Sequence, residues 1–140
     1  MQVLSLARCL TITEDGISHV ARNLPKLRSL SLADIGTVTD ASLATLAECC
    51  PKLEEMDLSH GGDGVTDAGV GALAALGMLQ SINVMDCTRV TDVSIAMLLR
   101  ECAQLTPAAL KADVDATDGL LYQTALIEGR HVLSIVNPDA

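Results

Sequence analysis

Two cysteines stand side by side in the stretch VTDASLATLAECCPKL, at Cys49 and Cys50, and three more occur at Cys9, Cys87 and Cys102. Thiols at suitable spacing ligate zinc, form a redox couple or act as nucleophiles. A zinc site would be expected to show C-x-x-C spacing with a histidine at hand, and no pair here does. An activated thiol needs an electropositive setting. Glu48 beside Cys49 and the end of a predicted helix would raise its pKa instead. Five is also an odd number, without an even framework of spacings, which points to reduced thiols in a cytosolic or nuclear setting.

The remaining chemistry-bearing residues are equally sparse. His60-Gly61-Gly62-Asp63-Gly64 is glycine-rich but is followed by Val65-Thr66-Asp67, not by the Lys-Ser/Thr of a phosphate loop, so it reads as an inserted turn. Ser, His and Asp all occur, yet no set of them has triad logic. His19 falls on the solvent side of a helix, and Tyr122, the only tyrosine, reads as a cap over the end of the core on a last helix. No catalytic residue and no cofactor is expected, so the chain is read as not an enzyme.

The elements that would position these residues follow from a repeat. Leu27, Leu53, Leu79 and Leu105 recur every 26 residues; Leu30, Met56, Ile82 and Ala108 follow in step, as do Leu6, Leu32, Leu58, Val84 and Leu110. Each unit reads L-x-x-L-x-L, an alternation that makes a short strand with one buried face. A second phrase follows in each unit, TITED, TVTDA, GVTDA, RVTDV and DATDG. Thr or Asp there caps a helix, its side-chain oxygen meeting a free N–H and the acid suiting the positive helix end. Apolar residues at helical spacing come next: Ile17, Val20, Ala21, Leu24; Leu43, Leu46, Ala47, Cys50; Val70, Leu73, Ala74, Gly77; Ile95, Leu98, Leu99, Cys102. A fifth helix starts at Leu121, Thr124 and Ala125 and decays at Glu128. One unit cannot bury its own face, but stacked units can.

The pattern predicts an α/β fold, a right-handed solenoid or horseshoe of about five 26-residue strand–helix units with a parallel sheet on the concave face. The whole chain, 1–140, is then one domain, with units at about 1–26, 27–52, 53–78, 79–104 and 105–130. Residues 131–140 form a terminal strand or cap, with Leu133 and Ile135 inward and Pro138 as a stop. In this register Cys50 and Cys102 fill the core position of Leu24, and Cys9 and Cys87 turn inward just after their strands. All four are read as structural core thiols and Cys49 as a partly exposed one. Cys50 and Cys102 lie two units apart, and helices packed about 8–10 Å apart hold them beyond the roughly 7 Å reach of a disulfide.

MQVLSLARCLTITEDGISHVARNLP, LRSLSLADIGTVTDASLATLAECCP and SINVMDCTRVTDVSIAMLLRECA resemble the cysteine-containing leucine-rich repeats found in F-box/LRR proteins, over about residues 1–121. The resemblance implies a solenoid for protein–protein recognition and, in F-box members, the choice of substrates for ubiquitin ligation. No F-box segment precedes the repeats, and the chain opens on a strand containing Val3, Leu4 and Leu6. That edge would leave backbone groups unpaired. An alternative reading is therefore a structural accessory subunit, or fragment, docked in a larger multiprotein assembly through its open edges.

Composition narrows the partners. The chain has 18 acids against 9 bases, a net charge of −9 that excludes a phosphate-backbone binder and disfavours anionic membranes. No apolar run approaches the roughly 18–20 residues of a membrane span, and MQVLSLARCLTITED has no signal-peptide pattern. Import into an organelle by a removed presequence stays open. With 49% apolar residues but one Tyr and neither Phe nor Trp, the chain suits thin regular layers.

On the concave face the outward positions include Glu55, Asp57, Ser59, Asn83 and Met85, with Asp34, His60 and Asp86 in one column just beyond. This face reads either as an ordinary solvated sheet surface or as an acidic, pH-sensitive patch that takes a basic segment of a protein partner. A metal held by Asp34, His60 and Asp86 would have a single imidazole, so no metal site is expected. Met85 is the best apolar contact among mostly small residues.

Overall fold

The structure, a computed structural model, describes residues 2–105, 110–111, 121–127 and 130–136. Four strand–helix pairs follow one another: β1 (Val3–Ser5) and α1 (Glu14–Asn23), β2 (Ser29–Ser31) and α2 (Asp40–Cys49), β3 (Glu55–Asp57) and α3 (Asp67–Ala74), β4 (Ser81–Asn83) and α4 (Asp92–Glu101). A two-residue strand, β5 (Leu110–Lys111), completes a parallel sheet of order β1-β2-β3-β4-β5.

The register follows the leucine spacing. Leu4 lies opposite Leu30, Leu30 opposite Met56, and Met56 opposite Ile82. Leu30, Met56 and Ile82 point to the helix side and are buried with Ile17, Leu43, Leu46, Leu73 and Leu98 in one continuous core. Successive helices pack in chain order, α1 on α2, α2 on α3 and α3 on α4. Each unit thus closes the apolar face of the next, the arrangement a repeat solenoid requires.

Each helix begins at a threonine. Thr13, Thr39, Thr66 and Thr91 are the N-caps, with side chains that accept from the amides of Gly16, Ser42, Ala68 and Val93. The helix stack also dictates a glycine. A Cβ on Gly69 would run into Asp40 Oδ1 and lie 2.9 Å from Leu43 Cδ1, so α3 approaches α2 closely only because residue 69 has none.

Beyond α4 the expected pattern changes in three ways. Ile82 pairs with Leu110, not with Ala108, so the fifth strand is displaced by two residues from the 26-residue step. Pro107, in the run expected to form that strand, has no N–H to give to a ladder. Leu121–Ile127 is a strand, β6, not a helix, and carries Tyr122. It pairs antiparallel with β7 (Arg130–Val136) in a separate two-stranded sheet, so the last strand does not pair with β5 as a cap. Two residues, Glu128 and Gly129, separate β6 from β7 in the sequence, a common hairpin spacing. The run LLYQTALI also lacks a sustained apolar stripe at helical spacing. Ala108, expected on the fifth strand, and Thr117-Asp118, expected to start the fifth helix, lie outside the described residues, as do Pro107 and Pro138. Among the described residues there are four strand–helix units, and no helix is long and apolar enough to cross a membrane.

Candidate functional site

A set of polar side chains at the helix starts joins one unit to the next. In two of the Thr-Asp phrases the acid does not serve its own helix alone. Asp40 accepts from the Thr66 amide (2.8 Å), the Thr66 hydroxyl (2.5 Å) and the Gly69 amide (3.2 Å) of the following unit. Asp67 repeats this, accepting from the Thr91 amide (2.8 Å), the Thr91 hydroxyl (2.5 Å) and the Ser94 hydroxyl. Glu14 does a reduced version, taking the Thr39 hydroxyl at 2.9 Å. Burial alone would push Asp67 up, but the hydroxyls of Ser94 and Thr91 and the Thr91 amide outweigh it and hold the carboxyl below its ordinary range. These staples were not anticipated. An acid after the cap is already accounted for by the positive end of its own helix, so no local signal marks its bonds to the next unit.

The cysteines work in the same direction. Cys50 Sγ donates to the carbonyls of Ala21 and Leu24, each at 3.4 Å, at the end of the preceding helix. Cys102 Sγ reaches the Ala74 carbonyl at 3.6 Å, and Cys87 Sγ the Leu58 carbonyl at 3.1 Å. These thiols fill core positions and meet carbonyls of the neighbouring unit, including those a helix end leaves free. Burial pushes all three up from their ordinary value, away from thiolate chemistry. Cys9 departs from the expected core assignment and is exposed. The matching Cys87 is covered by the unit before it, whereas nothing among the described residues covers Cys9. Cys49 is partly exposed, and all five thiols are free.

What is left over is the open face of the sheet. Ser29, Ser31, Glu55, Asp57, Ser81 and Asn83 surround a shallow hollow of about 190 Å³ floored by Leu30, Met56 and Ile82. Glu55 Oε2 accepts from Ser29 Oγ at 3.3 Å. Asp57 Oδ1 accepts from the amide and hydroxyl of Ser59, and Asn83 Oδ1 from the amide of Met85. Ser59, expected to point outward, is buried beneath Asp57. Met85 is exposed beside the hollow.

Asp34, His60 and Asp86 do not join that hollow. With Arg8 they occupy the matching position after each strand, all four at positive φ (62°, 59°, 58° and 56° for Arg8, Asp34, His60 and Asp86). Their side chains pair along the row: Arg8 Nε with Asp34 Oδ2 at 3.4 Å, and His60 Nδ1 with Asp86 Oδ2 at 2.6 Å. The column is therefore mixed in charge rather than a free acidic surface. Among the described residues no group of three His, Cys, Asp or Glu side chains could hold a metal.

No protein-family model matches the sequence, and no curated protein matches it. Among solved structures it is similar to a chain in the crystal structure of the Rad7 and Elc1 complex in yeast. The identity is 26% and the TM-score 0.65, covering 79% of this chain and 27% of that one. The chain thus spans little more than a quarter of that relative's length.

Proposed function

We propose that the protein is an interaction module, a leucine-rich-repeat solenoid that takes a segment of a partner protein on its open sheet face. The observation that carries this reading is one of allocation. Asp40, Asp67 and the buried thiols are used between units, while Ser29, Ser31, Glu55, Asp57, Ser81 and Asn83 surround an open hollow. Glu55 and Asp57 make a basic segment the complementary partner, and the small serines on either side leave room for long side chains. The face lacks Trp, Tyr and Arg anchors of its own, so the partner supplies the larger groups.

The likeness to a chain from a two-protein complex supports protein binding in general. The finer reading, a part resembling the substrate-recognition repeats of F-box/LRR receptors in a ubiquitin-ligase-related assembly, rests on the repeat motifs and that likeness together. Nothing in the reading requires catalysis or a cofactor, and the five free thiols accord with a reducing compartment, the cytoplasm or nucleus. Chemical cross-linking of the tagged protein in native extract, with the linked peptides mapped, tests it. Cross-links at Ser29–Ser31, Glu55–Asp57 and Ser81–Asn83 are expected. Cross-links confined to the helix side would refute it.

A further inference from the structure

The two acids of the hollow differ from the other acids near the sheet. Asp34 pairs with Arg8 (3.4 Å), Glu54 with Arg28 (3.8 Å) and Asp86 with His60 (2.6 Å). Among the described residues no Lys, Arg or His pairs with Glu55 or Asp57. Each of these two carboxylates has one oxygen engaged. Glu55 Oε2 takes the Ser29 hydroxyl at 3.3 Å, and Asp57 Oδ1 takes the amide and hydroxyl of Ser59 at 2.9 and 2.7 Å. Among the described residues no donor meets Glu55 Oε1 or Asp57 Oδ2.

The same bonds set the directions of the two acids. Ser29 stands opposite Glu55 on β2 and draws it toward that strand. Ser59 draws Asp57 along its own strand. Residues two apart on one strand face are rooted about 6.6 Å from each other, so these carboxylates diverge from roots already that far apart. An ammonium is a point donor, and with contacts of about 2.8 Å it joins oxygens no more than about 5.6 Å apart. A guanidinium spreads its donors over three nitrogens, about 2.3 Å from one another for C–N bonds of about 1.33 Å. It therefore joins oxygens up to about 8 Å apart. It is also planar, and the hollow is floored by three neighbouring strands at Leu30, Met56 and Ile82.

Asn83 adds a donor to these acceptors. Its Oδ1 accepts from the Met85 amide at 3.0 Å, which leaves the Nδ2 hydrogens for an outside acceptor. Asn83 stands directly opposite Asp57, one strand spacing of about 4.8 Å away. A peptide carbonyl answers such a donor, whereas a free polyamine has no acceptor to offer it.

We propose that the hollow is an arginine subsite, which takes a guanidinium of an extended partner segment between Glu55 and Asp57 and a main-chain carbonyl of the same segment on Asn83. The inference rests on the open face being the binding face, and it names the side chain that face reads.

The test is a titration of short capped glycine peptides, with either arginine or lysine at the centre, into the full chain, with the backbone amides followed by NMR. The arginine peptide should move the amides of Ser31, Asp57, Ser59 and Asn83. The lysine peptide should bind at least about fivefold more weakly. Equal binding of the two peptides, or shifts confined to other residues, would overturn the inference. Asp57→Asn keeps an oxygen for the Ser59 amide, so the chain should stay folded while the arginine peptide binds at least about tenfold more weakly. Glu55→Gln, at an exposed position, carries the same expectation, and undiminished binding to either folded variant would overturn the bridged geometry. Cross-linking in native extract separates this inference from the reading it rests on. Links to the open face from partner peptides without arginine would overturn the subsite and leave the binding face standing. Links confined to the helix side would remove both.

Discussion

Replacing Asp67 by Ala should destabilise the stack far more than its position at the start of a helix implies. The carboxylate takes three hydrogen bonds from the next unit, two from Thr91 and one from Ser94. A bond to a charged acceptor contributes about 1.5–3 kcal/mol when sheltered, but Asp67 is only partly buried and water competes, so about 2 kcal/mol is expected for the set. Loss of the acid from the helix start adds about 0.3–1 kcal/mol. The cross-unit share is isolated by a double-mutant cycle of Asp67→Ala with Thr91→Val, read by urea denaturation, with a coupling of about 1–2 kcal/mol. Asp15→Ala, an exposed acid in the first turn of α1, supplies the helix-start effect alone. Because the Asp67 carboxyl is held below its ordinary value of 3.8, its contribution is present above that pH. It is lost as the pH falls through the lowered folded value. The gap between wild type and variant should therefore close in strong acid. A coupling near zero, or a gap that persists in strong acid, would refute the staple.

Thiol labelling should separate the cysteines into two classes: Cys9 and Cys49 react with an aromatic disulfide in the native protein, whereas Cys50, Cys87 and Cys102 react only on unfolding, as mass mapping of the labelled peptides would show. Gly69→Ala should cost about 2 kcal/mol by forcing Asp40 and Leu43 aside, despite the better helix propensity of alanine. Gly36→Ala meets nothing within 4 Å and should be neutral or stabilising by up to about 1 kcal/mol, both read as shifts in the denaturation midpoint.

The strands and helices of the first four units are legible in the sequence because two periods coincide. A two-residue alternation sets the buried face of each strand, and a fixed 26-residue step sets the register, as in Leu4, Leu30, Met56 and Ile82. The step fails where proline enters the fifth unit, and Leu110 slides to meet Ile82. Leu121–Ile127 misleads for another reason. A short apolar run is ambiguous between helix and strand, and its antiparallel partner at Arg130–Val136 settles the matter through contacts that no local pattern carries. Cys9 and Leu24 match buried positions by register yet lie partly or fully open, because burial depends on the neighbouring unit as well as on the residue.

The candidate site was legible in outline. Glu55, Asp57 and Asn83 do line a common hollow. Asp34, His60 and Asp86 do stand in one row, but Arg8 and His60 pair with the acids, and pairing is a property of side-chain geometry that strand spacing alone does not supply. The cross-unit role of Asp40 and Asp67 was hidden for the same reason. A residue one step past a cap can turn back to its own helix or across to the next, and only the stack decides.

The most direct measurement of the central claim is partner capture by the intact protein carrying Ser31→Arg and Glu55→Lys together, which fill the hollow and reverse its charge. The residues lie on the open face and outside the core, so the melting temperature should stay close to that of the unmodified protein. The partner cross-linked to that face in the unmodified protein should then be captured at least about tenfold less. Capture at the unmodified level by a folded variant would contradict the account.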